Sequence, residues 1–239
     1  YIYNLDNERF ENYSGCGNTI NANNSVVRTM ILDCLRYWVE QMHVDGFRFD
    51  LASIMSRGEL GEPLERPPIL WSIESDPVLA GAKIIAEAWD AAGLYQVGSF
   101  TGERFAEWNS HFRDDVRAFV KGDADTVHKL SNRILGSPDI YPQPDRDLNR
   151  SINFVTCHDG FTLNDLVTYN TKSNAANLEN NRDGSNCNCS WNCGVEGEAD
   201  DPEVERLRLR QIRNFLTILF ISQGTPMLLM GDEVRRTQR

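Results

Sequence analysis

Hydrophobic positions in the first part of the chain change from helical spacing to strand spacing within a few residues. Between residues 25 and 43 the large apolar side chains recur every three or four positions, which predicts an amphipathic helix capped by Asn24 or Ser25. Residues 44–50 follow at once with alternating character, which predicts a strand. One face of this strand is aromatic, and the other brings Arg48 and Asp50 to its C-terminal end.

Further strand-like and helix-like segments alternate along the rest of the chain. Short β-rich runs, most of them ending beside a titratable residue, are predicted at residues 82–87, 151–157 and 225–230, with a weaker one at 105–109. Helical spacing is found at residues 112–120 and 204–222. This alternation of strands with helices predicts an α/β fold with a parallel sheet.

One connection is unusually long. Residues 170–201 show no periodicity and contain eight asparagines. Connections longer than about 12 to 15 residues without secondary structure are usually functional or disordered. Two interpretations remain open for this segment: an ordered loop beside a polyhydroxylated ligand, or an ordinary solvated lid.

Polar side chains stand at the ends of the four clearest strands. They are Arg48 with Asp50, Glu87, His158 with Asp159, and Asp232 with Glu233. In parallel α/β folds the functional residues gather at the C-terminal ends of the strands. Turn capping explains a single Asp at such a position, but acids, an arginine and a histidine at corresponding ends indicate an active site.

Glycoside hydrolysis is a reaction that needs paired carboxyl groups and no Cys or Ser nucleophile. Arg48 lies on the same strand face as Asp50, where a cation keeps a carboxylate ionised and oriented. Glu87 follows an apolar run, and apolar surroundings favour the protonated form of a general acid. Asp159 is then placed to stabilise positive charge on the sugar ring, and His158 to hydrogen-bond its hydroxyl groups.

Composition excludes several classes of partner. The 239 residues carry a formal net charge of −11, which disfavours nucleic acid and anionic lipid as ligands. The most apolar stretch, residues 215–230, is interrupted by polar residues and proline, so no membrane span is expected. Cys34 and Cys157 lie in apolar periodic segments and are predicted to be reduced core thiols, which favours a reducing, cytoplasmic compartment of bacterial type.

Three segments carry a family resemblance. Residues 45–50 (DGFRFD), 84–90 (IIAEAWD) and 154–160 (FVTCHDG) resemble the second, third and fourth signature regions of the α-amylase clan of glycoside hydrolases. The wider match is to the isoamylase-type glycogen debranching enzymes. Further resemblance to them lies in residues 12–18, 112–116, 136–141, 190–194 and 230–233.

The resemblance implies a role for each matching residue. Asp50 would be the nucleophile, Glu87 the general acid/base and Asp159 the transition-state stabiliser of a retaining double displacement, with Arg48 and His158 as substrate-positioning residues. The implied substrate is the α-1,6 branch point of a branched α-glucan such as glycogen, limit dextrin or an amylopectin-like polymer. Aromatic residues near the strand ends are candidates for stacking on sugar, with Trp89 foremost, followed by Tyr95, Trp108 and Phe161.

The resemblance also implies a partial (β/α)8 TIM barrel, comprising roughly strands 4 to 8 of a single catalytic domain. The first signature region, the earlier barrel strands and the flanking β-domains are expected to lie outside residues 1–239. The 239 residues alone are therefore expected to be inactive. No cofactor or metal is expected, because the C-x-C-x3-C spacing of Cys187, Cys189 and Cys193 departs from that of structural zinc sites.

Three alternatives remain open at this point. The same residues suit an α-1,4-glucan hydrolase or glucanotransferase of the same clan. The carboxylates would also suit Mg²⁺ in an enolase-like barrel, although that chemistry needs a base for which only His158 is available. A non-catalytic glucan-binding protein is the third alternative, which an intact acid and nucleophile pair disfavours.

Overall fold

The computed structural model describes residues 1–142 and 147–238. The chain forms two compact units, Tyr1–Trp108 and Asn109–Arg239. Both contain parallel strands together with helices, so the predicted α/β class is confirmed. No helix among the described residues is long and apolar enough to cross a membrane.

The first unit contains a short antiparallel hairpin followed by alternating helices and parallel strands. Its elements are β1 (Tyr3–Asn4), β2 (Arg9–Phe10), α1 (Ser25–Glu40), β3 (Gly46–Phe49), α2 (Pro68–Ser75), β4 (Lys83–Ala86) and β5 (Ala106–Asn109), whose last residue begins the second unit. β4 pairs in parallel with both β3 and β5. In the β3–β4 register Phe49 lies opposite Ala86, so the residues that follow the two strands emerge side by side.

Helix α1 begins where its cap predicts. The Asn24 side chain accepts hydrogen bonds from the backbone N–H groups of Val26 and Val27, which have no partner within the helix. Leu35 is the one residue of α1 that is buried, and Cys34 is exposed. The prediction that Cys34 is a core thiol is therefore wrong, since the apolar period marks a helix face but not what covers it.

The second unit is built mainly from helices around two parallel strands. Its elements are α3 (Ser110–Lys121), α4 (Val127–Ile134), β6 (Ser151–Phe154), α5 (Leu163–Leu166), α6 (Pro202–Ile221) and β7 (Thr225–Met227). β6 pairs in parallel with β7, with Ile152 opposite Thr225. The core between the helices is apolar and includes Phe112, Val116, Leu163, Phe215 and Leu219.

Most predicted elements are found with small shifts at their ends. Both strands of the second unit are shorter than the apolar runs that predicted them, because β6 stops at Phe154 and β7 at Met227. The hairpin β1–β2 and the short helices α4 and α5 were not predicted. Two-residue strands and helices of one or two turns are too short to show a hydrophobic period.

Candidate active site

The first group of predicted site residues meets at the C-terminal ends of β3 and β4. Arg48 Nη1 lies 2.6 Å from Asp50 Oδ1, and Arg48 Nη2 lies 2.9 Å from Glu87 Oε1. One guanidinium therefore links both carboxylates. Arginine suits this position because its planar group presents donors in several directions at once.

The two carboxylates differ strongly in exposure. The Asp50 side chain is 71% exposed, whereas that of Glu87 is 4% exposed. Glu87 Oε2 also accepts a hydrogen bond of 2.8 Å from the backbone N–H of Leu51. The prediction of apolar surroundings for Glu87 is thus correct for its burial only. The carboxylate is paired with a cation and a backbone donor.

The backbone after β3 is held around Glu87. Glu87 N–H donates to Phe49 O at 3.1 Å, and Ala52 N–H donates to Glu87 O at 2.8 Å. Leu51 lies between them with a left-handed φ of 41°. A leucine in this region of backbone conformation is strained, and such strain is frequent where loops position functional groups.

The aromatic candidates divide into two buried packing residues and one stacked, partly exposed pair. Trp108 is 8% exposed and lies beneath the Arg48 guanidinium, whose carbon is 4.2 Å from the ring centroid. Phe161 is a buried core residue. Trp89 stacks on Tyr95 with ring centroids 6.3 Å apart and planes 13° apart, and Tyr95 is 46% exposed. Of the four aromatic candidates, this stacked pair retains a position suited to sugar stacking.

The second group of predicted residues follows β6 in the Asn109–Arg239 unit. His158 Nε2 lies 3.6 Å from Asp159 Oδ1, and both side chains are more than half exposed. They line a cavity of about 670 Å³ together with residues of the long segment 170–201. A cavity of this size is within the range of small-molecule sites.

Asp232, at the end of β7, has a structural role. It is 1% exposed and accepts hydrogen bonds from the Thr156 hydroxyl and, at 3.0 Å, from Leu163 N–H. Burial raises the pKa of the Asp232 carboxyl, although these two hydrogen bonds oppose the shift. Asp232 therefore joins the turn after β6 to the start of α5. Its position at a strand end suggested an active-site residue, but its contacts are structural.

Arg117 was not predicted to take part in the site. Its side chain is buried on α3, with Nε donating to Val155 O at 2.8 Å and Nη1 to Asn188 O at 3.1 Å. Burial lowers the pKa of Arg117 to about 10, so it stays cationic at neutral pH. Asn188 Oδ1 in turn accepts from Phe161 N–H at 3.1 Å. Arg117 and Asn188 thus hold the turn that carries His158 and Asp159 from both ends.

The long segment 170–201 is an anchored loop. It contains one short turn of 3₁₀-helix, Ala175–Asn177. Buried Arg208 on α6 donates to the carbonyl oxygens of Val195 at 2.6 Å and Gly197 at 2.7 Å, and Trp191 N–H donates to Leu166 O at 2.9 Å. These contacts, together with its place along the cavity, favour the ordered loop over the solvated lid.

Few of the side chains that could bind a metal ion lie close together in the described part of the chain. Among the described residues, the group of three side chains close enough to share an ion is Cys157, His158 and Asp159, whose ligand atoms lie within 4.8 Å of one another. Burial raises the pKa of the Cys157 thiol, and metals bind the thiolate. In the C-x-C-x3-C segment the Cys187 and Cys189 sulfur atoms are 3.9 Å apart, whereas Cys193 is buried in the apolar core.

The thiols in the long loop are expected to differ in reactivity. Burial raises the pKa of the Cys193 thiol to about 11, so only about one molecule in a thousand carries its thiolate at pH 8. Cys187 is exposed. Iodoacetamide at pH 8 should therefore alkylate Cys187 at least about 100-fold faster than Cys193, as measured by peptide mass spectrometry. Equal rates in the folded protein, before any denaturant is added, would contradict the buried position of Cys193.

Two known proteins are about half identical in sequence to this chain. Isoamylase 3, chloroplastic, from Oryza sativa subsp. japonica is 54% identical over 240 residues, covering 100% of this chain and 31% of that protein. A glycogen operon protein GlgX homolog from Mycobacterium tuberculosis is 51% identical over 230 residues, covering 96% of this chain and 32% of that protein. No protein-family model matches. The chain spans about a third of the length of the curated relatives it matches.

A solved structure has a fold similar to that of this chain. Pullulanase type I from Bacillus subtilis, complexed with maltose, superposes with a TM-score of 0.69 over 99% of this chain and 30% of that chain. Its sequence identity is 24%, so the likeness concerns the fold alone. It confirms the parallel α/β architecture.

Proposed function

We propose that the chain is part of an isoamylase-type glycogen debranching enzyme of the α-amylase clan, because isoamylases and a glycogen operon protein homolog are similar to it over nearly its whole length. We further propose that the protein carrying it hydrolyses α-1,6 branch points of branched α-glucans. The observation that supports this most directly is the single guanidinium of Arg48 joined to both Asp50 and Glu87. A retaining glycoside hydrolase needs one ionised and one proton-donating carboxyl group.

We propose distinct roles for the carboxylates, based on their surroundings. Asp50 is exposed and contacts Arg48, which suits a nucleophile that a cation orients as it attacks the anomeric carbon. Glu87 is buried, and Arg48 and Leu51 N–H fix its orientation. The family resemblance assigns this oriented carboxyl the role of the acid/base that protonates the leaving oxygen and then deprotonates water. Asp159 would stabilise the oxocarbenium-like charge, while His158 and Trp89 would contact the sugar.

The proposal extends to the architecture and the compartment. The parallel strands with their helices would form roughly strands 4 to 8 of a (β/α)8 barrel, and residues 1–239 would be part of a single catalytic domain. A reducing, cytoplasmic compartment is supported by six cysteines that all carry free thiols. The rice relative, by its name, is chloroplastic.

The proposed substrate is a neutral, hydroxyl-rich polymer such as glycogen, limit dextrin or an amylopectin-like glucan. A net charge of −11 does not repel such a polymer, whereas it disfavours phosphate backbones. The names of the two relatives point to the same class, since one is a glycogen operon protein homolog and the other is an isoamylase.

Product analysis tests the proposal. The full-length protein that carries this chain should release linear chains from glycogen and leave linear amylose intact. Short maltodextrins from amylose would instead indicate α-1,4 hydrolysis or glucan transfer by the same residues. Loss of all activity after exhaustive chelation would favour Mg²⁺ chemistry, and glycogen binding without any product would favour a glucan-binding protein.

A further inference from the structure

The cavity beside Asp159 has polar lining residues that come from the long loop. Besides Asp159 and His158, it is lined by Lys172, Asn174 and Asp183 of the long loop. All of these residues belong to the Asn109–Arg239 unit. Neither the sequence motifs nor the proposed reaction uses these three residues of the long loop.

Asp183 is held in place by three neighbouring side chains. Its carbonyl oxygen accepts hydrogen bonds from Lys172 Nζ at 2.8 Å and from Asn174 Nδ2 at 3.1 Å. Its carboxylate Oδ2 accepts from Asn177 Nδ2 at 2.6 Å. These contacts fix both the backbone and the rotamer of Asp183 in a segment that has almost no secondary structure.

The other carboxylate oxygen lacks a donor. Asp183 Oδ1 is buried and accepts no hydrogen bond from any of the described residues. Buried acceptors in folded proteins almost always have a partner, because leaving one unpaired costs its full desolvation free energy. Because Asp183 is one of the residues that line the cavity, this fixed, unpaired acceptor is suited to a donor supplied by a ligand.

The chemistry favours a hydroxyl group over a cation as that donor. Asp183 does not belong to the group of His, Cys, Asp and Glu side chains that lie close enough to share an ion in the described part of the chain. The Lys172 ammonium, 2.8 Å from Asp183 O, would also repel a metal ion. A neutral hydroxyl group pays no such electrostatic penalty, and it can donate to a carboxylate with a strong, charge-assisted hydrogen bond.

We propose that this cavity is a glucan subsite in which Asp183 Oδ1 accepts a hydrogen bond from a hydroxyl group of a bound glucosyl unit. Lys172, Asn174 and Asn177 act as positioning residues that present the carboxylate. The inference rests on the proposed function, because it assumes that the cavity beside Asp159 takes an α-glucan. It adds a specificity-determining residue from the long loop to the strand-end residues.

Titration calorimetry with maltohexaose tests the subsite in the full-length protein, in an inactive Glu87→Gln background. Asp183→Ala removes the acceptor, and Asp183→Asn keeps the side-chain shape and a contact to Asn177 while presenting an amide group to the ligand. Both should raise the Kd by about 10- to 100-fold, the effect of one charged hydrogen bond. Asp200→Ala is the matched control, because Asp200 is an exposed acid of the same loop. Its Kd should stay within about twofold of the parent value.

Several results would overturn the subsite. Unchanged maltohexaose binding in both Asp183 variants is one such result. The absence of maltohexaose binding in the parent Glu87→Gln protein is another. A loss confined to Asp183→Ala, with Asp183→Asn binding normally, would assign Asp183 to loop anchoring alone. Binding that requires added Ca²⁺ and disappears with EDTA would make this a cation site. Chain release from glycogen by the unmutated protein tests the proposed function separately, so failure of the subsite and failure of that function are distinguishable.

Discussion

Replacing Glu87 by Gln should lower the rate of chain release from glycogen by about 10³-fold or more. General acid–base catalysis usually contributes about 10²- to 10⁴-fold to a rate. The amide retains the shape of the side chain and can still accept a hydrogen bond from Leu51 N–H. It cannot donate a proton to the leaving oxygen. Chain release by the full-length protein, measured as new reducing ends at saturating glycogen, gives the effect on kcat.

The matched control for this substitution is Glu59→Gln, which makes the same chemical change at an exposed position of the same unit. It should leave kcat within about twofold of the wild type, because surface substitutions rarely disturb a fold. Glycogen binding should persist in Glu87→Gln, since the change removes a proton donor and leaves the size of the site unaltered. Normal turnover in Glu87→Gln would exclude Glu87 as the acid/base.

Replacing Arg208 by Met should loosen the loop of residues 192–197. Arg208 is 1% exposed and donates to the carbonyl oxygens of Asn192, Val195 and Gly197, which Met cannot satisfy. A carbonyl left unpaired costs about 1–3 kcal/mol where water cannot reach it, and we expect a net loss of about 3 kcal/mol over the three carbonyl groups after partial hydration. That loss corresponds to a rise of more than about 100-fold in the open population of the loop.

Hydrogen exchange followed by mass spectrometry measures this effect in the intact protein. Amides of residues 192–197 should exchange much faster in Arg208→Met, whereas those of β6 should change little. Arg206→Met serves as the control, because Arg206 lies on the same helix, is 72% exposed and pairs only with Glu203 in the described contacts. An exposed pair of this kind contributes at most about 1 kcal/mol. Equal exchange in the two variants would show that Arg208 does not anchor the loop.

The helices and strands were largely predictable because their signals are local. α1 begins at Ser25 and α6 spans nearly the predicted range, since an apolar side chain every three or four residues marks a helix face wherever that helix packs. Burial was less predictable. Cys34 was assigned to a core on the same period and is exposed, because spacing shows which face is apolar and not which partner lies against it.

The strand-end residues show a similar division. Asp232 follows a strand just as Asp50 does, yet it is buried and bonded to Thr156 and to the backbone of Leu163. Trp108 was predicted as a sugar-stacking candidate and instead supports the Arg48 guanidinium. Position at the end of a strand therefore identified candidates, but each role depended on contacts with residues far away in the sequence.

The residues that anchor the long loop could not be predicted from the sequence pattern. Arg208 lies within a helix rich in charged residues, where a buried arginine looks like any solvated one. Asp183 lies in an aperiodic segment, and only the folded loop brings Asn177 and Lys172 against it. Hydrogen bonds to carbonyl oxygens do not depend on the identity of the residue that supplies the carbonyl, so no motif records them.

The sequence by itself determined the alternating elements, the carboxylates at their ends and the similarity to the isoamylase-type debranching enzymes. These depend on periodicity and residue identity, which are properties of short segments. Only the tertiary structure decided that Arg48 joins Asp50 to Glu87. That contact requires the parallel register in which Phe49 lies opposite Ala86, and register is set by packing across strands separated by more than thirty residues of sequence.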